Sequence, residues 1–359
     1  MKPLEIAYLR LLNQHIAGTP FEAPGDVVKW LGAVQAQDYL AAKWAMAART
    51  KGITDAAMEQ AFADGSILRI HLLRPTWHFV APEDIRWILA LTAPRVHTAN
   101  AYWYRKAGLD NAIFSQSNAA LVKALRGGNQ LTRSEIASVL QQAGIATDVP
   151  LRFAYLMMHA ELDGIVCNGA RRGKQHTYAL LDERAPQART LGRGEALAEL
   201  SKRYFTSRGP ATLEDYIWWS GLSAQDANAG LEMTRSQLVH EAIDGQTYWF
   251  ATSTLDTKDC SPCAYLLPNF DEYVVGYTDR SAIFDASHIH KLDARGSILA
   301  NHMIVVDGRV AGVWKRTLRK NAVEIELSPF IPLTEVENRA VAMAAHKYGA
   351  FLDLPVVLA

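Results

Sequence analysis

Thr212-Leu213-Glu214-Asp215-Tyr216-Ile217-Trp218-Trp219-Ser220-Gly221-Leu222-Ser223 opens the stretch, running on to Phe250, whose reading decides the fold class. Thr212 and Asp215 stand three apart ahead of an apolar run, the spacing of a capping box that satisfies the first free N–H groups of a helix. Gly221 can close that helix in the left-handed conformation, and Ser223 with Asp226 starts the next one. After Leu231 the chain reads as extended from Leu238 to Phe250, folded back at Asp244-Gly245, the dipeptide a type I′ hairpin turn prefers. Two helices and a hairpin in that order make a winged helix, a unit commonly used on DNA.

The same order recurs twice upstream. In the second copy Thr132 and Glu135 form the capping box, Gly144 the stop and Asp148-Val149-Pro150 a new start. A helix then runs to Asp163-Gly164, and a hairpin spans Ile165–Leu180 with the basic tip Arg171-Arg172-Gly173-Lys174-Gln175-His176. The first copy is looser, with helices near 4–17, 25–33 and 54–63 and a hairpin at Ile67–Val80. These readings set expected boundaries of 1–90 for the first module, 91–116 for a helical connector, 117–184 for the second module and 190–252 for the third. Past residue 253 the texture changes to short β-type runs. Ala264–Leu267, Tyr273–Tyr277, Met303–Val306, Val310–Trp314 and Val323–Leu327 are read as strands, with Asp307-Gly308 as a hairpin turn. Such spacing predicts a small C-terminal β-barrel or curled sheet over 253–359, after which the chain ends in a helix that Thr334 and Glu337 cap. The expected class is therefore α+β, three tandem winged helices followed by the barrel.

Lysines and arginines number 37 and so do aspartates and glutamates. A nucleic-acid partner then requires positive charge to be gathered on one face, because none is in excess overall. Arg171–Lys174 and the run Lys315-Arg316-Thr317-Leu318-Arg319-Lys320 show such gathering, although solvated surface explains either run taken alone. Arg10, Asn13, Gln14 and His15 interrupt any apolar leader, and no run approaches the ~18 apolar residues of a membrane span. Three cysteines, an odd number, suit a reducing compartment. A cytosolic protein associated with the nucleoid, monomeric and without contact to a membrane, is expected.

Motifs for phosphate loops, nucleophile elbows, zinc proteases and dinucleotide binding are absent. What stands out is Gln35-Ala36-Gln37, just past Gly32 at the end of a helix. Two glutamines two apart point to one side only on extended backbone, and a glycine stop makes that plausible. Two convergent amide oxygens can hold one water by its two hydrogens. On spacing alone, ordinary polar loop residues remain the simpler reading. The first hairpin packs His71, Arg74, Trp77 and His78 into its tip, where they could contact phosphate or stack on a base, or stabilise the hairpin itself. Cys260-Ser261-Pro262-Cys263 with His288-Ile289-His290 offers four potential zinc ligands. A single C-x-x-C with an H-x-H does not make the usual ligand spacing, so no metal and no cofactor is expected.

Taken together, Gln35-Ala36-Gln37, Leu73–Val80, Leu267-Pro268-Asn269-Phe270-Asp271-Glu272-Tyr273 and Asp307–Trp314 resemble the AlkZ-like winged-helix DNA glycosylases, and the resemblance covers essentially the whole chain. It implies three tandem winged helices and a barrel clamped around duplex DNA, and a catalytic Gln-x-Gln matched here by Gln35 and Gln37. It further implies a monofunctional enzyme that removes N7-alkylated purines, crosslinked ones included. Such a base carries a positive charge and leaves as a neutral molecule, so no strong general acid is needed; that agrees with the lack of an evident carboxylate pair. Asp38 could serve as base or counter-charge, yet on an extended segment it faces away from Gln37. No lysine stands out as a Schiff-base nucleophile. His71, Arg74, His78, Arg171, Arg172, Lys174, Lys315, Arg316, Arg319 and Lys320 are the expected DNA contacts. The competing reading is a non-catalytic DNA-binding regulator, which would ordinarily carry one winged helix per subunit of a dimer rather than three different ones.

Overall fold

In a computed structural model the described residues are 1–149, 151–252, 262–292 and 297–359. The chain is a mixed α+β fold that separates into two compact units, through which it passes more than once. One contains residues 1–59, 198–219 and 224–359; the other contains 60–197 and 220–223.

In the first unit the N-terminal helix shares a core with residues from the C-terminal third of the chain. Ile6, Ala7, Leu11 and Leu12 of the helix Pro3–Asn13 pack with Tyr273, Val274, Met303, Val305 and Val310. Each of the larger aliphatic side chains among them contributes roughly 1.5–3 kcal/mol by leaving water. The sheet beneath them is five-stranded, in the order Val356–Leu358, Val323–Pro329, Arg309–Leu318, His302–Val306, Ala264–Leu267. Its strands are antiparallel except for the last pair, where Val356–Leu358 runs parallel to Val323–Ile325. Val310, Gly312 and Trp314 alternate inward along the longest strand, the period-2 signature of one buried face. Beyond Trp314 that alternation ends: Lys315 and residues 317–320 are exposed and Arg316 is half-buried, so the far end of the hairpin leaves the core.

Of the two forms expected, a small barrel or a curled sheet, the strands make a curled half-barrel: among the described residues the linear order leaves Ala264–Leu267 and Val356–Leu358 as edges. A correction concerns Tyr273–Tyr277, read above as a strand. Glu272–Val275 is a short helix, because the Asp271 carboxylate accepts the N–H of Tyr273 at 2.8 Å and so caps it. The β-branched pair Val274-Val275 suggested extension, but the cap and the burial of Tyr273 decide otherwise. At the turn, Asp307 and Gly308 both have positive φ, 45° and 84°. A Cβ on Gly308 would sit 3.0 Å from that of Ala7, so the N-terminal helix lies directly against this turn.

Three aromatic side chains tie the helices of this unit to the sheet. Trp44 of the helix Tyr39–Ala47 and Trp314 donate their indole N–H groups to the carbonyls of Leu266 and Leu267, at 2.6 and 2.9 Å. Tyr348 of the terminal helix Glu335–Leu352 packs edge-on against both rings, at 5.0 and 5.1 Å. Thr334 and Glu337 form the capping box of that helix. Also in this unit, the hairpin Val239–Ile243/Gln246–Phe250 turns at Asp244-Gly245 with positive φ at both residues.

In the second unit, the helices Asn111–Leu125, Arg133–Gln142 and Arg152–Leu162 surround a core of Phe114, Leu121, Ile136, Leu140, Phe153, Leu156 and Val166. The hairpin Val166–Arg172/Gln175–Leu180 follows, with Leu131–Thr132 paired to its second strand. Thr132 and Glu135 again make a capping box. Pro150, one residue of the expected helix start, lies outside the described residues. Residues 91–116, expected as a helical connector, cover most of the 22-residue helix Ile85–Lys106 and the start of Asn111–Leu125. The hairpin Leu68–Leu72/Thr76–Val80 also belongs to this unit.

Candidate active site

The helix Pro24–Leu31 stops at Gly32, whose φ of 76° is open to glycine and costly for other residues. The chain then extends through the strand Val34–Gln35 and reaches Asp38, which caps the helix Tyr39–Ala47 by accepting the Ala41 N–H at 3.1 Å. Gln35 is buried and Gln37, at the surface, is exposed. The two glutamines thus lie on a short crossing between a forced helix stop and a capped helix start.

That crossing is held from below by a buried charge pair. Glu272 Oε1 accepts the backbone N–H of Gln35 at 2.8 Å. Glu272 Oε2 accepts Arg208 Nη2 at 2.6 Å and the Trp219 indole N–H at 3.0 Å. Arg208 in turn donates to the carbonyls of Leu31 at 2.7 Å and Ala33 at 2.9 Å, on either side of Gly32. Neither Arg208 nor Glu272 is exposed at all. Next to them Arg49 makes a two-pronged bond to Asp271, at 2.8 and 2.9 Å, and donates to the Gln14 amide at 2.8 Å. Gln14 donates to the Tyr277 hydroxyl, which donates to the carbonyl of Arg208. Buried ions are costly unless each lone pair and N–H finds a partner, and here fixed donors and acceptors surround the two carboxylates.

The segment 269–273 therefore serves several purposes at once. Asn269 donates its amide to Asp38 Oδ2 at 3.3 Å, and its backbone N–H to His302 Nδ1 at 2.9 Å. That bond leaves the His302 proton on Nε2. Burial, reinforced by the neighbouring Arg316, pushes the imidazole down to about 4, so it is neutral. Burial also lowers Arg316, whereas the charges of Asp38 and Asp55 act to raise it. Asp38 thus works as a helix cap and a partner of Asn269, roles that spacing did not reveal. Glu272, Arg208 and Asn269 were likewise missed; the signal that could have flagged them is an acidic doublet, Asp271-Glu272, inside an otherwise apolar run.

The expected DNA contacts separate into distinct environments. His71 and His78 are buried, a correction to their placement on a DNA face. His71 is paired through Nδ1 with the fully buried Glu161 and packs on Trp77 at 4.3 Å, so it builds its own hairpin. Arg74 and Arg171 are half-buried. Arg172 is exposed and bonded to Glu135 at 2.7 Å and to the Gln130 carbonyl, and Lys174 is exposed at the same tip. Lys315 and Lys320 are exposed, and Arg319 is exposed but bonded to Glu324 at 2.8 Å. Arg316 contacts the Tyr348 hydroxyl. Of the weighed zinc set, Cys260 lies outside the described residues, and His288 packs on Phe330 at 4.9 Å. Among the described residues no helix is long and apolar enough to cross a membrane.

A family model described as DNA glycosylase AlkZ-like matches residues 28–351, the stretch that holds Gln35, Gln37 and their support, and the protein is a DNA glycosylase. The chain belongs to the AlkZ-like family. It is 24% identical to the interstrand DNA cross-link repair glycosylase of Streptomyces sahachiroi, over 93% of this chain and 94% of that one. The fold is similar to that of the solved Streptomyces sahachiroi DNA glycosylase AlkZ, with a TM-score of 0.82, 21% identity and full coverage of both chains. An enzyme, rather than a regulator, follows.

Proposed function

We propose that this glycosylase hydrolyses the N-glycosidic bond of N7-alkylated purines in duplex DNA, with Gln35 and Gln37 placing the attacking water. The observation that carries this reading is the crossing itself: backbone carrying two amides, fixed by Gly32, the Asp38 cap and the Glu272 bond to Gln35. An alkylated purine is already cationic, so the bond breaks with the base leaving neutral and positive charge gathering on the sugar. The amide oxygens hold the water by its hydrogens and point their dipoles at that charge, which supplies positioning and electrostatic stabilisation together. Lys43, on the helix that follows, is engaged by Asp55 at 2.7 Å and Glu59 at 3.0 Å. That arrangement supports a monofunctional enzyme without an amine nucleophile.

Duplex DNA is held through its phosphates by the exposed ends of hairpins, Lys174 with Arg171 and Arg172 in one and Lys315 and Lys320 with Arg316 and Arg319 in another, and by Arg74 at the turn of a third. The relative named for interstrand crosslink repair extends the reading to crosslinked purines. Incubating the protein with a duplex containing N7-methylguanine, then cleaving abasic sites with alkali, tests it. A strand break at the lesion alone is expected. Intact strands, with N7-methylguanine retained, would overturn the assignment.

A further inference from the structure

A second site lies in the other unit, remote in sequence from the glutamines. His97 comes from the helix Ile85–Lys106, His159 from the last turn of Arg152–Leu162, and Asp163 caps the end of that helix. His97 Nε2 stands 3.2 Å from Asp163 Oδ1, and His159 Nδ1 stands 3.1 Å from Oδ2. All three donor atoms fall within 4.8 Å of one another, and among the described residues this is the one such group of His, Cys, Asp or Glu.

His159 Nδ1 is buried and lacks a well-aligned hydrogen bond, although Asp163 Oδ2 lies 3.1 Å away. Two imidazole nitrogens and a carboxylate grouped this closely can serve as ligands of one ion. Around zinc, with bonds of about 2.0–2.1 Å, tetrahedral ligands stand about 3.3 Å apart, close to the two histidine–carboxylate distances, one to each oxygen; the set as a whole spans up to 4.8 Å, so binding would draw the donors together.

The surrounding groups orient the donors. The far nitrogen of His97, Nδ1, lies 3.3 Å from the Tyr104 hydroxyl, the outer contact that ligating histidines usually make. The His159 ring stacks on Phe114 at 3.6 Å and 14°. Asn118 donates to Asp163 Oδ2 at 3.1 Å. His97 and Asp163 also line a groove of about 340 Å³ with Leu89, Pro94 and Leu162, which leaves room for a water as fourth ligand. Arg86, the cation on that groove, is paired with Asp182.

We propose that His97, His159 and Asp163 bind one zinc ion, clipping the helix Ile85–Lys106 to the end of Arg152–Leu162. Two imidazoles and a carboxylate suit zinc. The site is independent of the excision chemistry, and it departs from the expectation of no metal that the Cys260/Cys263 spacing gave. Chelator-stripped full-length protein, titrated with zinc chloride by calorimetry and with cobalt chloride by visible absorption, tests it. One saturable equivalent is expected, with the absorption of tetrahedral cobalt and a rise in melting temperature on adding zinc. His97→Gln and Asp163→Asn should each weaken zinc by at least about 100-fold, the loss of a direct ligand exceeding that of an outer one, and should abolish the melting shift. Circular dichroism confirms that both variants are folded; if one is not, the other decides. No saturable binding, or undiminished binding in both variants, would overturn the site.

Discussion

The backbone N–H of Gln35 donates to the carboxylate of Glu272 at 2.8 Å, across 237 positions of sequence. Because Arg208 holds the same carboxylate and also the carbonyls on both sides of Gly32, one buried ion pair sets the path of the backbone that carries both glutamines.

Glu272→Gln leaves Arg208 as an uncompensated buried cation. Unfolding free energy, measured in urea, should fall by about 3–5 kcal/mol, the cost of breaking such a pair from one side. Arg208→Met together with Glu272→Gln removes both charges and should recover much of that loss, while base excision stays slow because the crossing has lost its anchors. Equal stability of the single and double variants would mean that the pair is not coupled.

Stability should respond to pH through His302. Its folded value of about 4 lies below its ordinary 6.5, so the folded chain binds fewer protons there than the unfolded one. Its contribution is whole above pH 6.5 and is lost progressively as pH falls toward 4. In His302→Asn the Asn oxygen can still accept the Asn269 N–H, and the decline between pH 6.5 and 4 should be shallower than in the parent. A difference between the two proteins that stays constant across that window would contradict this.

Salt should control affinity for undamaged duplex. Lys315→Ala and Lys320→Ala should each flatten the slope of log affinity against log salt by about 0.9, one phosphate contact apiece. Arg172→Ala should change it less, as that guanidinium is already bonded to Glu135 and Gln130. Slopes unchanged in both lysine variants would remove the long hairpin from the DNA interface.

Local signals were legible in the sequence because local hydrogen bonds produce them. Thr132 with Glu135, Thr212 with Asp215 and Thr334 with Glu337 bond across three residues, and Asp244-Gly245 and Asp307-Gly308 adopt the positive φ their turns require. Gln35 and Gln37 could be picked out because Gly32 marks where a helix must end. The helix Tyr39–Ala47 was not read, since Asp38 was weighed as a chemical group and not as its cap. Glu272, Asn269 and the grouping of His97 with Asp163 depend on contacts between distant segments, which no period or spacing encodes. Val274-Val275 misled for a related reason: β-branched residues favour strands only where the backbone is free to extend, and the Asp271 cap prevents that.

Single-turnover excision of N7-methylguanine by Gln37→Ala, alone and with Gln35→Ala, tests the central claim most directly. The single variant should lose roughly 10²-fold in rate, the scale of one lost electrostatic or positioning contact, with affinity for the lesion duplex nearly intact. A double variant that excises as fast as the parent would contradict the account.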